Sequence, residues 1–290
     1  MSRDGQAPVL AIVEMTRPLV GYAADFPSGF HLERHCHPSA QLIYASRGVM
    51  MVSTDRGRWV APPQRAVWVP PLVSHAVRMT GDVQVRTLYL DPALLRDRLP
   101  TCAVVHVSPL LRELILRVVG FDQPYPREGR QARIVAVLLD EIETAPVAPL
   151  LLPTPKDPRL LAITSRLAED PGDRRTLTGW SRTAGASART LARLFERETG
   201  LSFVRWRQQA RLLRALEWLA GGASVTTIAL DLGYDSPSAF ITMFRESLGA
   251  TPAHYFAASP PGAASPSSSG RASAGQTPRG TRPTTATADC

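Results

Sequence analysis

Lysine is almost missing from this chain: Lys156 stands alone against 32 arginines in 290 residues. The bias points to a GC-rich coding source more than to a function. Cysteine is scarce as well, with Cys36, Cys102 and Cys290 forming an odd set that has no C-x-x-C spacing. Such a set offers no disulfide framework and implies a reducing compartment. No apolar run reaches the roughly 20 residues of a membrane span, and no secretory leader is visible at the N-terminus. The expectation is a soluble cytoplasmic protein with no membrane partner. Acidic residues are outnumbered 25 to 33, for a net charge of +8, divided as +2 over residues 1–155, +4 over 156–258 and +2 over the rest. The excess over the middle segment fits a nucleic-acid partner without requiring one.

What the chain does have is a pattern written twice. The first copy runs Ala184-Gly185-Ala186-Ser187, then Leu191, Phe195 and Gly200; the second runs Leu232-Gly233-Tyr234-Asp235-Ser236, then Phe240, Phe244 and Gly249. A turn glycine takes positive φ at no steric cost, and a serine N-cap accepts from a free backbone N–H of the helix it opens. Pro237 follows Ser236 at the first helical position, where its missing N–H costs nothing. The residues four and eight past each serine then share the inner face of a helix that Gly200 or Gly249 ends. Each copy is read as helix, tight turn and second helix, the plan in which the second helix enters the major groove of double-stranded DNA. Two plain helical hairpins would be the blander reading, but matched cap, core and stop positions are more constrained than that.

Between the copies, Phe203, Trp206, Ala210, Leu213 and Leu216 recur at helical spacing opposite Arg207, Arg211 and Arg214, which predicts one continuous helix from Phe203 to Leu219. Its length of roughly 25 Å at about 1.5 Å per residue suits holding two groove-reading helices one DNA turn apart. The run Ala-Gly-x-Ser-x-Arg-x-Leu-x-Arg-x-Phe at 184–195 and Gly-Tyr-x-Ser-Pro-Ser-x-Phe at 233–240 resemble the DNA-binding domain of AraC-type transcription regulators, over residues 158–256. On the first groove-reading helix, Arg189 and Arg193 lie four apart opposite Leu191 and Phe195, with Ala192 between them. Arginine is the side chain best matched to guanine O6 and N7. The second helix presents only Ser238, Ala239 and Thr242, groups of little reach, so it is expected mainly to seat the protein on phosphates. Arg182, Arg197, Arg207, Arg211 and Arg245 are candidate phosphate contacts, or simply a solvated basic face.

The remaining chain divides by composition. Residues 257–290, mostly Ser, Pro, Gly, Thr, Ala and Arg, cannot bury enough apolar surface to offset ordering entropy and are expected to be disordered. Prolines at 146, 149, 153, 155 and 158 mark residues 146–158 as a semi-rigid linker. Upstream, β-rich runs at Gln41–Ala45, Val49–Thr54, Ala66–Val69 and Val83–Leu90 are separated by glycine and proline turns. They predict a small antiparallel barrel over 25–95 behind an N-terminal arm of residues 1–24. Helices at Ser108–Gly120 and Arg127–Thr144 should follow within a helical region of residues 96–145. Leu138 and Leu139 of the second helix are its candidate dimer contacts.

Within the strands stands a second constellation: His35, His37, Gln41 and, much later, His75. Histidines two apart on a strand point to one face, and a distant third completes a facial nitrogen set for Fe, Mn, Ni or Zn. The spacing is similar to the two short motifs of the cupin barrel. That resemblance makes the three histidines metal ligands and sets Gln41 where a glutamate usually stands, with Leu72 in place of the usual glycine. The other reading, polar groups lining a ligand pocket without metal, stays open. Tyr44, Trp59, Trp68 and Tyr89 line the pocket or fill the core.

Joined, these parts make an α+β multidomain chain: a cupin-like sensor, two helices that pair two copies into a homodimer, and a C-terminal all-α domain with two helix-turn-helix units. The whole is similar to the cupin-bearing AraC-type regulators over about residues 25–256. It implies a sequence-specific transcription regulator, not an enzyme, with a small-molecule effector, promoter or operator DNA as partner, and RNA polymerase as a further candidate contact. The alternative is a cupin metalloenzyme, an oxygenase or isomerase, carrying a helical appendage.

Overall fold

The structure, a computed structural model, describes residues 17–94, 99–148 and 150–257. The expected disordered tail, apart from residue 257, and most of the expected N-terminal arm lie outside these residues. Among these residues the N-terminal half is built on one antiparallel sheet of nine strands: β1 (Leu19–Phe26), β2 (His31–His35), β3 (Ala40–Thr54), β4 (Gly57–Ala61), β5 (Arg65–Val69), β6 (His75–Leu90), β7 (Ala103–His106), β8 (Val147–Ala148) and β9 (Leu151–Pro153). Among the described residues the hydrogen-bonded path runs β1-β6-β3-β5-β7-β8, with β2 on β6 and β4 between β3 and β9. The path does not return on itself, so this is a curled sheet and not the closed barrel expected from the turn spacing.

Two runs read separately in the sequence, Gln41–Ala45 and Val49–Thr54, are one strand. At its irregular middle Gly48 takes φ 79°, and a Cβ there would meet the Asp82 carbonyl at 2.7 Å. The bend lets the first half of β3 pair with β5 and the second half with β4. Side chains alternate across the strand. Leu42 and Tyr44 join one core with Trp68 and Leu88, while Ile43 and Val52 join another with Val77 and Met79.

Helices α1 (Pro109–Val118) and α2 (Arg130–Thr144) cover the first of these cores. Ser108 caps α1 by accepting from the Leu111 N–H at 3.0 Å, and Pro109 fills its first turn. Leu111 and Ile115 meet Val135, Leu138 and Ile142 of α2 beneath the sheet. Leu138 is fully buried there, so it is spent on the core and cannot be the dimer contact it was expected to be. Two further boundaries move. Residues 19–24, expected as part of an arm, belong to β1, paired along its length with β6. The expected linker instead carries β8 and β9, because its prolines tolerate short edge strands that pair with β7 and β4.

The C-terminal half is helical: α3 (Pro158–Glu169), α4 (Leu177–Ala184), α5 (Ala188–Thr199), α6 (Phe203–Ala220), α7 (Val225–Asp231), α8 (Pro237–Leu248) and α9 (Pro252–Ala257). Ser187 and Ser236 cap α5 and α8 through the N–H groups of Thr190 and Ala239. Gly233 holds φ 74° between α7 and α8, and a Cβ there would lie 2.6 Å from the Gly172 carbonyl. Phe195 packs against Phe203 and Trp206, and Phe244 meets both Phe240 and Tyr255 edge to face. The repeat is therefore realised as two helix pairs, α4–α5 and α7–α8, joined by α6.

Candidate nucleic-acid interface and sensor site

The caps and inner faces of α5 and α8 decide which of their residues look outward. Leu191, Leu194 and Phe195 are buried, leaving Arg189 and Arg193 exposed one turn apart. Among the described residues neither guanidinium has a hydrogen bond or ion pair. Ala192, between them, is half-buried and lines a shallow recess with Thr178 and Val204. On α8, Ser238, Ala239 and Thr242 are exposed over the buried Phe240 and Met243.

The five candidate phosphate contacts separate into two kinds. Arg182, Arg197 and Arg245 are exposed, Arg197 reaching Glu198 at 3.2 Å. Arg211 is instead a brace: its guanidinium donates to the Pro171 and Asp173 carbonyls at 2.9 and 3.3 Å and lies over the Tyr234 ring. Burial lowers its pKa first of all, with Arg207 adding to the effect. Arg207 donates to the Arg175 carbonyl at 3.0 Å beside the Phe203 ring. Both arginines thus bind the loop ahead of α4 to α6, an arrangement that helical periodicity alone could not distinguish from a solvated stripe.

In the sheet, His35 and His75 are cross-strand partners of β2 and β6, and His37 follows in the turn before β3. One ring nitrogen from each lies within 4.8 Å of the other two. Every Nδ1 faces a backbone carbonyl: His35 toward Glu33 at 2.7 Å, His37 toward Ser39 at 2.8 Å and His75 toward Val73 at 2.8 Å. A carbonyl only accepts, so each Nδ1 carries a proton, and in the neutral form of the ring Nε2 keeps its lone pair. Among the described residues the buried His75 Nε2 has no hydrogen-bond partner. Burial, with His35 beside it, pushes the His75 imidazole down to about 3, and burial also lowers His35.

Gln41, 4% exposed, completes the group, with its Oε1 3.1 Å from the His37 Nε2. Its amide NH₂ donates to the Thr87 hydroxyl, which donates to the Leu42 carbonyl, each at 3.1 Å. Thr87 went unnoticed in the sequence, where nothing links it to a residue 46 positions away. His31 lies apart and exposed, paired with Glu33. The cavity beside His35, Gln41 and His75 holds only about 20 Å³ among Ile43, Met50, Val77 and Met79. That is room for one ion or water, not for an organic ligand. Three converging imidazole lone pairs with an amide oxygen fit a borderline divalent cation, and the carbonyl bonds to Nδ1 are the outer supports such ligands need.

Comparison with known proteins places both halves. The AraC-like ligand binding domain family matches residues 18–152, and the helix-turn-helix domain family matches residues 180–258. The HTH-type transcriptional regulator NimR of Escherichia coli is 38% identical over 224 residues, covering 77% of this chain and 81% of NimR. The chain belongs to the AraC-type transcription regulators. The regulator is also 32% identical over 131 residues to the HTH-type transcriptional regulator RipA of Corynebacterium glutamicum, covering 45% of this chain and 38% of RipA. Among solved structures, ToxT from Vibrio cholerae covers 83% of this chain and 97% of its own, at 12% identity and a TM-score of 0.35. The regulator thus joins a helix-turn-helix DNA-binding domain to a ligand-binding domain. No helix among its described residues is long and apolar enough to cross a membrane.

Proposed function

We propose that this cytoplasmic regulator reads its operator mainly through α5, with Arg189 and Arg193 on base edges and Ala192 close to the groove floor. The observation that carries this reading is that both arginines are exposed and uncommitted while Arg207 and Arg211 are held by backbone carbonyls. The α7–α8 pair acts as a second helix-turn-helix unit, its small residues Ser238, Ala239 and Thr242 letting the backbone approach phosphates closely. Arg182, Arg197 and Arg245 add sequence-independent attraction. The DNA-binding unit is residues 159–256, and the sensor starts at β1 and not at residue 25. Two copies act together, as does contact with RNA polymerase at the promoter.

The sensor's histidines hold a divalent metal ion: His35, His37 and His75 supply imidazole nitrogens and Gln41 an amide oxygen. When bound, such an ion supplies Lewis acidity. Here the surrounding side chains are apolar and leave no room for a substrate, which favours a structural or signalling role over a metalloenzyme. Dimerisation uses exposed apolar groups of the helical layer, with Val137 45% and Leu110 52% exposed, since Leu138 is buried. A mobility-shift assay on the regulator's own upstream region and neighbouring promoters, across a salt series, tests the whole reading. Site-specific, salt-sensitive retardation is expected, and its absence from all of them overturns it.

A further inference from the structure

The space beside the histidines is too small for an organic effector, but a second space is not. A crevice of about 250 Å³ lies between the outer face of the sheet and α6. Its sheet wall is set by register: Met51 of β3 pairs with Val60 of β4 and with Arg78 of β6, and Arg58 pairs with Leu152 of β9. Opposite stand Trp206, Leu213, Arg214 and Glu217 of α6.

Charge in this crevice does not balance. The Glu217 side chain, 8% exposed, receives Arg214 at 2.9 Å and Arg78 at 3.6 Å. Arg58 points into the same space without a hydrogen bond or ion pair among the described residues. Burial lowers the Arg58 pKa, countered by Glu217 and reinforced by Arg214 and Arg78. Three guanidinium groups therefore face one carboxylate in a half-closed setting of mixed polarity, two of them paired with it and Arg58 left over. The apolar half of the wall is equally specific. Its accessible part is formed by the half-buried Met51, Ala168 and Ala210, beside the buried Trp206, whose indole N–H is used on the Pro153 carbonyl at 2.9 Å.

We propose that this crevice binds a small organic carboxylate with an apolar body, its carboxylate taken by Arg58 and an adjacent arginine and its body laid against Met51, Ala168 and Ala210. Arginine suits this task because its planar fork matches a carboxylate in two bonds. The ligand touches both halves of the chain, Arg58 and Arg78 from the sheet and Arg214 from α6. Because α6 joins the two helix pairs, occupancy that changes the sheet-to-α6 contact changes how α5 and α8 are presented. That consequence rests on the regulator reading, whereas the binding itself does not.

The test is calorimetry on the full-length protein with 3-phenylpropionate and cyclohexanecarboxylate, set against their neutral amides and inorganic phosphate. Saturable binding of at least one carboxylate is expected, with its amide and phosphate each weaker by about tenfold or more. Arg58→Gln should weaken the carboxylate by about tenfold, and Met51→Trp, which fills the crevice from the sheet side, should abolish binding. Mobility shifts with both variants report whether the helical half remains folded. No saturable binding of either carboxylate, or binding unchanged in both variants, overturns the proposal, and phosphate binding as tight as the carboxylates reduces it to a charge-only site. Carboxylate binding without any operator binding would leave the crevice standing and remove the regulator reading instead.

Discussion

With a neutral ring protonated on Nδ1, His37 and Gln41 face each other acceptor to acceptor: the His37 Nε2 and the Gln41 Oε1 are 3.1 Å apart, while the His37 Nδ1 sits 2.8 Å from the Ser39 carbonyl. A neutral imidazole has one N–H and cannot satisfy two oxygens. Turning the Gln41 amide does not help, because Thr87 spends its hydroxyl proton on Leu42 and needs the amide NH₂. A cation seated among the Nε2 atoms resolves the conflict and also gives the buried His75 Nε2 its missing partner.

Titration of chelator-treated protein with Co²⁺ or Ni²⁺ should accordingly produce the visible absorption of a nitrogen-ligated ion at one equivalent per chain. His75→Ala should abolish it. Gln41→Glu, which adds a negative charge at ligand distance, should tighten binding by about tenfold or more. Absence of the absorption band at millimolar metal, or a band untouched by His75→Ala, would rule the site out.

The same histidine makes the metal-free protein acid-sensitive. Its folded pKa of about 3 lies below the ordinary 6.5, so between those values the unfolded chain binds a proton that the folded chain refuses. Stability is then fullest above pH 6.5 and drains as pH falls through that window, by up to about 1.4 kcal/mol per pH unit for one such group. Urea unfolding at several pH values between 7 and 5 should show this slope. His75→Asn should flatten it, and a slope identical in that variant would assign the acid sensitivity elsewhere.

Leu72 lies in the left-handed region at φ 60°, 67% exposed, with its N–H on the His37 carbonyl at 2.9 Å. A leucine there costs about 1–2 kcal/mol of backbone strain, partly offset by the greater entropy that glycine loses on folding. Leu72→Gly should therefore raise stability by up to about 1 kcal/mol, read as a higher urea midpoint at unchanged m-value. A lower midpoint would mean that the leucine side chain makes a compensating contact.

That residue also illustrates what could be read without coordinates. The motif comparison marked position 72 as a glycine site, and the backbone there is of the glycine kind. Caps and stops such as Ser187, Pro237 and Gly249 were legible because each follows a local rule: a hydroxyl meeting a backbone N–H three residues on, a fixed φ at the first helical position, and a positive φ at the helix end. The spacing of His35, His37 and His75 also pointed to a cluster, although strand parity does not explain it, since β2 ends at His35 and His37 lies beyond it. Leu138 was misassigned because an apolar stripe reveals that a face is buried, not whether a sheet or a second copy buries it. Closure of the sheet depends on register across strands far apart in the chain, and Val147–Ala148 and Leu151–Pro153 looked like linker because short edge strands tolerate prolines. The crevice was illegible for a similar reason: Arg58, Arg78 and Glu217 meet only after β4, β6 and α6 have been packed together.

The two arginine classes on the helical half should respond to substitution in different ways. Arg193→Ala removes an exposed, uncommitted guanidinium from α5 and should leave the unfolding midpoint unchanged, since no described residue bonds to it. If it meets a guanine edge, specific affinity falls by about 1–3 kcal/mol while affinity for unrelated DNA barely moves. Arg211→Ala removes two bonds to buried-loop carbonyls and a ring contact on Tyr234. It should lower stability by about 2 kcal/mol, the order expected for two hydrogen bonds from a charged, half-buried group. Its loss of DNA binding should recover on cooling, as that of a partly unfolded domain does. Titrations of both variants against operator and non-operator duplexes, alongside urea melts, separate the classes. Equal losses on both duplexes for Arg193→Ala would make it a phosphate contact, and an unchanged melt for Arg211→Ala would return that residue to the DNA-facing surface.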